Sequence, residues 1–330
     1  MEFERIVILG NGQDWLEKSL HDFESIENGR LVNSILPCRN KFLLPFARFH
    51  FSSTVNKFFR MPFKNAWYKL FCKTICEDKE KGLLLIIYDW NKLGCEKSFL
   101  EYLRKYFKNM KLVYVITNII TITRAYKNRF VSELKKYYDL VYTFEENDAV
   151  NYGFLHSQLV YSANAFNASE ERNEVFFAGS AKDRLPMLLK TYERFRQLGL
   201  KCNYHILGVP EEEIVPLEGI EYNKRITYQQ VIDETAQSVC IIEIPQKNSS
   251  EWTIKLCEAI YYNKIFITTN KNILNAPFYD SRYMFVFDNP EDIDQSFFIN
   301  KNSVCYEDNA REYFSVKRFI TMVKTDLKPM

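Results

Sequence analysis

Short runs of β-branched and aromatic residues alternate with helix-like segments along the whole chain. In the first half, apolar residues have helical spacing at 96 to 108 and at 125 to 138, between four strand-like runs. This alternation is typical of a parallel sheet with helices on both faces, because parallel neighbours need long crossover connections. The strands predicted for this first unit are RIVILG from Arg5, LLLIIY from Leu83, KLVYVIT from Lys111 and DLVYTF from Asp139.

The same alternation resumes after a polar stretch, NASEERNE at 167 to 174, which is typical of a connector. A chain of 330 residues with 47% hydrophobic content is long enough to bury two cores. We therefore predict an α/β fold with two Rossmann-like domains, 1–166 and 167–308, and a last helix within 309–330. The strands predicted for the second domain are VFFAG from Val175, CNYHILG from Cys202, SVCIIEI from Ser238, KIFITT from Lys264 and YMFVF from Tyr283.

The segment from Ser249 to Asn270, SSEWTIKLCEAIYYNKIFITTN, combines a polar loop, an amphipathic helix and a buried strand. We expect Ser249 and Ser250 to cap the helix. Lys255 and Glu258 are three residues apart, so both side chains can point at one ligand. Because a helix that begins at the carboxyl edge of a parallel sheet attracts anions, the segment predicts an anion site.

This segment resembles the donor-binding signature of GT-B glycosyltransferases, most closely that of bacterial enzymes making capsular polysaccharide and lipopolysaccharide. The resemblance implies that Glu258 holds the donor sugar or ribose and that Lys255 neutralises the diphosphate. It also implies two domains facing a cleft and a C-terminal helix that crosses back to the first domain. Glu251 and Glu258 are seven residues apart, whereas the broader retaining families place two glutamates eight apart. The matching residues are Thr253, Lys255, Glu258, Ala259, Lys264 and Thr268-Thr269-Asn270.

A second phosphate-like loop opens the second domain, in VFFAGSAKDRLP. Gly179 permits close backbone approach, Ser180 follows it, and Lys182 and Arg184 supply positive charge before a helix. The resembling enzymes carry Gly-x-x-Lys-x-Arg here. We expect these cations and Lys255 to converge on one diphosphate pocket. The alternative is an ordinary tight turn with two solvated cations.

The segment NKRITY lies between these two loops and is predicted to bind the nucleotide base. Main-chain groups near Arg225 and Ile226 offer hydrogen bonds, and the ring of Tyr228 offers a stacking surface. The resembling enzymes commonly carry an aromatic residue at this place. The alternative is that Tyr228 packs at the start of a helix.

The span from Gly29 to Cys76 contains no Asp or Glu but nine Lys or Arg, and ten aromatic residues lie between Arg39 and Lys73. Such a composition suits RNA or an anionic membrane surface. No RNA-binding motif accompanies it, and a net charge of +2 gives no general attraction for nucleic acid, so we expect no nucleic-acid partner. HFSSTVNKFFRMPFKNAWYK resembles its counterpart in the same enzymes, which implies acceptor or membrane contact. The alternative is that many of these aromatic residues belong to the core.

Candidates for the catalytic base lie at the carboxyl ends of predicted strands in the first domain. Asp14 follows the first strand and Asp89 follows LLLIIY, so both are candidates to deprotonate the acceptor hydroxyl. A retaining reaction needs no such base, because an oxygen of the donor phosphate can take that part.

The sequence also offers three alternatives to a GT-B glycosyltransferase. Gly10-Asn11-Gly12 after a strand favours a dinucleotide loop, but Trp15 replaces the third glycine and no acidic strand end follows. Asp292-Ile293-Asp294 spells the Asp-x-Asp of metal-dependent GT-A enzymes but follows Asn289-Pro290, as in a capping turn. The third is a non-catalytic sugar-nucleotide binder or scaffold of a polysaccharide assembly complex.

The sequence therefore predicts a metal-independent hexosyltransferase that needs no cofactor. Its expected partners are a nucleotide-diphosphate sugar as donor, a lipid-linked glycan as acceptor and an anionic membrane surface. The eight cysteines are scattered in apolar runs, and MEFERIVILGNG has no basic leader. These features predict a cytoplasmic protein at the inner face of the cell membrane.

Overall fold

The computed structural model describes residues 3–38, 40–59, 61–120, 130–167, 172–247, 249 and 251–328. The chain divides into two compact units, one formed by Met1–Gln158 with Phe319–Met330 and the other by Leu159–Arg318. The second unit takes in the residues just before the polar connector because the Tyr161 amide donates to the carbonyl of Phe314, 2.9 Å away.

The first unit is built on a parallel sheet that has six strands within the described residues. From one edge to the other, the order is β2, β1, β3, β4, β5 and β6 for strands numbered along the chain. Every residue of LLLIIY is buried, as expected for a strand covered on both faces. The strands are β1 (Arg5–Leu9), β2 (Gly29–Val32), β3 (Leu83–Tyr88), β4 (Met110–Ile116), β5 (Leu140–Thr143) and β6 (Leu155–His156).

Helices connect these strands in the first unit. The predicted helix at 96 to 108 is α5, and part of the predicted helix at 125 to 138 is α6; residues 125–129 lie outside the described residues. The helices of this part of the chain are α1 (Asp14–Ser19), α2 (Leu44–His50), α3 (Ser53–Phe58), α4 (Lys64–Ile75), α5 (Lys97–Tyr106), α6 (Phe130–Tyr137) and α7 (Glu146–Tyr152).

The second unit repeats this plan with another parallel sheet of six described strands, in the order β12, β11, β10, β7, β8 and β9. SVCIIE is buried along its whole length between two neighbouring strands. The strands are β7 (Arg172–Ser180), β8 (Lys201–Leu207), β9 (Ile220–Tyr222), β10 (Ser238–Glu243), β11 (Ile265–Thr268) and β12 (Met284–Val286). Two parallel sheets with interleaved helices confirm the predicted α/β fold.

The end of the chain, Phe319–Met330, belongs to the first unit, whereas residues 309–318 of the predicted returning segment belong to the second unit. The Tyr142 hydroxyl donates to the carboxylate of Asp326 at 2.6 Å, and the Tyr142 ring packs edge-on against Phe319. Among the residues that the structure describes, no helix is both long and apolar enough to cross a bilayer. The remaining helices are α8 (Leu185–Gln197), α9 (Tyr228–Gln237), α10 (Ile254–Tyr261), α11 (Asp308–Tyr313) and α12 (Val316–Asp326).

Asp292 and Asp294 both cap short 3-10 turns. The Asp292 carboxylate accepts the amides of Asp288 and Asn289 at 3.1 and 2.8 Å, and the Asp294 carboxylate accepts the amide of Ser296 at 2.7 Å. The predicted capping turn is therefore confirmed.

Candidate functional site

The helix of the anion segment begins later than the sequence predicted. Thr253 is the N-cap of α10, and its hydroxyl accepts the Lys255 amide at 3.2 Å. The predicted capping role of Ser249 is wrong, because Thr253 supplies the cap four residues further on. Ser250 lies outside the described residues. The later start places Lys255 in the first turn of α10, where the helix dipole favours anions.

Glu243 anchors this N-cap from the last position of β10. One carboxylate oxygen accepts the Thr253 amide at 3.1 Å and the Thr253 hydroxyl at 2.5 Å, and the other accepts the Thr268 hydroxyl at 2.8 Å. Burial raises the pKa of Glu243, while the bonds from Thr253 and Thr268 act in the opposite direction. Glu243 therefore ties β10, β11 and α10 together at the carboxyl edge of the second sheet.

Lys255 and Glu258 form an ion pair on α10. The ammonium lies 2.8 Å from one carboxylate oxygen of Glu258, and the Tyr228 hydroxyl donates to the other oxygen at 2.8 Å. Glu258 has no exposed surface, and the Lys255 side chain is 12% exposed. The ammonium also lies 5.7 Å from the centre of the Phe176 ring, at cation–π distance. Glu258 thus holds Lys255 in place in the first turn of α10 and Tyr228 in place at the start of a second helix, α9.

Tyr228 is the first residue of α9, and its hydroxyl is part of this cluster. Burial, followed by the charge of Glu258, raises the pKa of Tyr228 well above its usual range. The structure therefore gives the hydroxyl a positioning role that the sequence did not predict, whereas stacking of its ring on a base stays a prediction. Arg225 is exposed and makes no hydrogen bond or ion pair with another described residue.

Arg184 braces the β7–α8 loop instead of extending into solvent. Its guanidinium donates to the carbonyl of Ser180 at 2.8 and 3.1 Å and to the carbonyl of Ile244 at 2.6 Å. A Cβ at Gly179 would lie 3.4 Å from this guanidinium and 3.1 Å from the Phe177 ring, so glycine leaves room for the arginine. Burial lowers the pKa of Arg184, and the charge of Glu243 opposes that effect.

Lys182 is the exposed cation of this loop. Its φ of 47° is in the left-handed region, which costs a non-glycine residue about 1 kcal/mol or more. Although the residue as a whole is exposed, partial desolvation of its ammonium and then repulsion from Arg184 lower the pKa of Lys182. Lys182 and Arg184 are therefore electrostatic neighbours, and their binding of a diphosphate stays a prediction.

Arg184 and Lys255 approach β7 from opposite faces. Arg184 lies 5.6 Å from the Phe177 ring and Lys255 lies over the ring of Phe176, and adjacent strand residues point to opposite faces. Both residues lie near the carboxyl edge of the second sheet, on opposite faces of β7, and their convergence on one diphosphate pocket stays a prediction. Each is held by its own partners: Arg184 by two backbone carbonyls and Lys255 by Glu258.

The two candidate bases of the first unit differ in exposure. Asp89 is fully buried, and its carboxylate accepts the Thr117 amide, the Thr117 hydroxyl and the Asn118 amide group at 3.0, 2.7 and 3.3 Å. Asp14 is exposed at the first position of α1. Asp89 is thus engaged in joining the ends of β3 and β4, and Asp14 is the carboxylate that solvent reaches.

Comparison with known proteins establishes the fold. No protein-family model matches the chain, and no curated protein matches it. An alpha-glucosyltransferase solved with UDP and a 13-mer DNA containing a HMU base superposes with a TM-score of 0.61 at 11% identity, over 98% of each chain. A UDP-forming alpha,alpha-trehalose-phosphate synthase from Burkholderia xenovorans gives 0.50 at 10% identity, again over 98% of each. The match to the structure of TarM covers 75% of this chain but only 55% of the TarM chain, with a TM-score of 0.49 and 13% identity.

The two whole-length likenesses, at 10 and 11% identity, show the fold alone, which is of the GT-B type. They also correct one expectation. The exclusion of nucleic acid as a partner is wrong, because whole-length neighbours of this fold are solved as complexes with DNA. A net charge of +2 spread over the whole chain is therefore no ground for that exclusion.

Sequence reasoning missed Glu243 and the pairing of Tyr228 with Glu258. The signal for Glu243 was present, since an acidic residue at the end of the apolar run SVCIIEI must find partners when that strand is buried. Tyr228 and Glu258 are 30 positions apart on different helices. No local spacing rule connects two such residues.

Proposed function

We propose that the chain is a glycosyltransferase that moves a hexosyl group from a nucleotide-diphosphate sugar to a lipid-linked glycan. The observation that carries the proposal is the ion pair of Lys255 with buried Glu258 in the first turn of α10, on a GT-B fold. The resemblance of 175 to 287 to capsular polysaccharide and lipopolysaccharide enzymes supports a surface polysaccharide as the product.

In this proposal, cations of the protein stabilise the leaving nucleotide diphosphate without a metal ion. Lys255 lies where the helix dipole adds to its attraction for phosphate, and Lys182 supplies an exposed charge from the neighbouring loop. Arg184 fixes the shape of that loop through the carbonyls of Ser180 and Ile244. If the reaction inverts the anomeric centre, the exposed Asp14 is the better candidate base, because the carboxylate of Asp89 is enclosed.

A panel of sugar nucleotides tests donor binding. A ligand at about 100 times its Kd stabilises the native state by about 2.7 kcal/mol, so the matching donor should raise the melting temperature by about 5 °C or more. Lys182→Gln should reduce this shift, because it removes a charge from the proposed diphosphate site. Lys201→Gln, an exposed change at the start of β8, should leave it unchanged.

Slow hydrolysis of the bound donor separates a transferase from a non-catalytic binder, since only the enzyme passes some sugar to water. Absence of any thermal shift across UDP-, GDP- and dTDP-sugars would contradict the proposal. Binding without hydrolysis or transfer would instead support the scaffold alternative.

Glucosyl transfer to DNA is a second candidate function. It is favoured by one observation, the full-length likeness to alpha-glucosyltransferases solved with UDP or UDP-glucose and DNA. The lipid-linked acceptor is preferred because of the apolar surface of the first unit.

That surface, which we call the phenylalanine surface, combines exposed rings with cations. Its six phenylalanines are between 58 and 88% exposed, and exposed Lys41 and Lys69 lie on the same stretch of chain. Phe51, Tyr68 and Phe71 are buried, so the aromatic segment divides between core and surface. Exposed rings beside cations suit peripheral contact with an anionic membrane. The six residues are Phe42, Phe46, Phe49, Phe58, Phe59 and Phe63.

Vesicle sedimentation tests this contact. The protein should bind vesicles containing phosphatidylglycerol, and binding should weaken as salt rises, because salt screens the attraction between lysines and lipid phosphates. Replacing Phe42, Phe46 and Phe49 by alanine should reduce binding at every salt concentration. Leu274→Ala, which changes an exposed apolar residue of the second unit, is the control. Vesicle binding that depends neither on the salt concentration nor on the triple substitution would refute the membrane proposal.

A further inference from the structure

A cavity of about 340 Å³ lies in the first unit, where the chain leaves the carboxyl ends of β1, β2 and β3. Its polar wall includes Gly12, Ser34, Arg48 and Lys92, and Leu44 of α2 belongs to its apolar wall. This volume is at the lower end of the range for small-molecule sites.

The cavity carries positive charge that no ion pair among the described residues neutralises. Arg48 and Lys92 are exposed, and neither makes an ion pair or hydrogen bond with another described residue. Glu17 is bound to the cavity wall, where it accepts a hydrogen bond from the Asn33 side chain at 3.0 Å. Two unpaired cations on one concave wall attract a phosphate or carboxylate group.

The other polar groups of the wall are engaged in holding its shape. The Asn33 side chain accepts the Gly12 amide at 2.8 Å, and the Ser34 hydroxyl donates to the carbonyl of Leu36 at 2.7 Å. The Asn91 side chain donates to the carbonyls of Gly10 and Ser34 at 2.6 and 2.9 Å, which joins the three strand ends. The wall is therefore preformed, and the cations are the groups left to meet a ligand.

The glycines of Gly10-Asn11-Gly12 make this close packing possible. A Cβ at Gly10 would lie 2.5 Å from the side-chain oxygen of Asn33, and Gly12 has a φ of 79° with a Cβ position 3.2 Å from Ile35. This loop therefore serves the contact between β1 and β2, which explains a glycine pattern that otherwise favours a dinucleotide site.

The cavity borders the phenylalanine surface. Helix α2 contributes Leu44 and Arg48 to the cavity and exposes Phe46 and Phe49 to solvent. Ile35, which is 42% exposed, also lines the cavity. An anion site beside exposed apolar side chains matches an amphiphile that has a charged head and a hydrocarbon chain.

We propose that this cavity binds the phosphate group of the lipid-linked acceptor, with Arg48 and Lys92 as its cationic ligands. The inference rests on the proposed transfer to a lipid-linked glycan and names the acceptor group recognised in the first unit. The apolar chain of the acceptor then lies along the phenylalanine surface, which also contacts the membrane.

Direct binding of farnesyl phosphate to the full-length chain tests this proposal. A charge-assisted hydrogen bond corresponds to about a tenfold or larger change in affinity, so Arg48→Gln and Lys92→Gln should each weaken binding at least about tenfold. Lys105→Gln removes an exposed charge from α5 of the same unit and should have no effect. Farnesol should bind far more weakly than farnesyl phosphate, because it lacks the anion. All three variants are expected to fold, since each changes an exposed side chain.

Further ligands identify the source of the phosphate and separate the two proposals. If inorganic phosphate bound as tightly as farnesyl phosphate, the lipid assignment would be overturned. The same would follow if binding of a DNA duplex depended more strongly on Arg48 and Lys92 than binding of farnesyl phosphate does. Unchanged affinity for farnesyl phosphate in both variants, with UDP still bound, would overturn the cavity assignment alone. The opposite result would overturn the donor proposal instead: the wild-type chain would fail to bind UDP, while the two substitutions would still weaken its binding of farnesyl phosphate.

Discussion

Replacing Lys255 by methionine is expected to lower the rate of sugar transfer by about 10²- to 10³-fold and to destabilise the second unit by about 3–5 kcal/mol. The rate falls because a charge that stabilises the leaving diphosphate is removed. The stability falls because Glu258 has no exposed surface and would keep a buried negative charge, with the Tyr228 hydroxyl as its one remaining partner among the described residues. Transfer kinetics and urea unfolding measure the two effects.

A double substitution separates these effects. Lys255→Met with Glu258→Gln removes both charges, and the neutral amide can still accept the Tyr228 hydroxyl, so most of the lost stability should return. The transfer rate should stay low, because the cation is still missing. If the double variant regained transfer along with stability, Lys255 would have only a structural role. Lys201→Met, at an exposed site on the same unit, controls for the loss of a lysine.

Most of the fold was predictable because long apolar runs have few alternatives. LLLIIY was predicted at the residues where β3 lies, and β7, β8, β10, β11 and β12 fall within two or three residues of their predicted runs. The strands that were not predicted are β2, β6 and β9. They have two to four residues each and lie at or next to a sheet edge, so they lack a continuous apolar run.

The end of the chain shows how a tertiary contact overrides a local pattern. Apolar spacing predicts one helix from Asn309 to Val323, yet the structure has two, α11 and α12. Between these helices, the carbonyl of Phe314 accepts a hydrogen bond from the Tyr161 amide. The ring of Phe314 packs against the ring of Phe278 at a centroid distance of 5.2 Å. Tyr161, more than 150 positions away, thus donates a hydrogen bond to a carbonyl at the end of the first of these helices.

The candidate site was predictable only in part, for a related reason. Parallel strands bring their carboxyl ends to one edge, so the sequence indicates that Lys182, on a loop, and Lys255, on a helix, follow strands at the same edge of the second sheet. It did not indicate which partner neutralises each charge. The bond from Arg184 to Ile244 and the pairing of Lys255 with Glu258 depend on side-chain directions within the packed unit.

Replacing Asp89 by alanine is expected to destabilise the first unit by about 3–5 kcal/mol, which corresponds to a fall in melting temperature of about 10 °C. The reason is that Asp89 is fully buried and accepts hydrogen bonds from the amide and hydroxyl of Thr117 and from the Asn118 side chain. Each donor left without a partner costs about 1–3 kcal/mol. Asp14→Ala removes an exposed carboxylate from the first turn of α1 and should cost less than about 1 kcal/mol.

Asparagine at each position then distinguishes a base from a structural carboxylate. Asp89→Asn keeps the size of the side chain, so the fraction of protein that folds should retain transfer if Asp89 only joins β3 to β4. Asp14→Asn should fold normally, and in an inverting enzyme it should lose most of its transfer rate, because the amide cannot take the acceptor proton. Measured per folded molecule, loss of transfer in the Asp89 variant with full transfer in the Asp14 variant would reverse the assignment. In that case the enclosed carboxylate would have to become accessible during turnover.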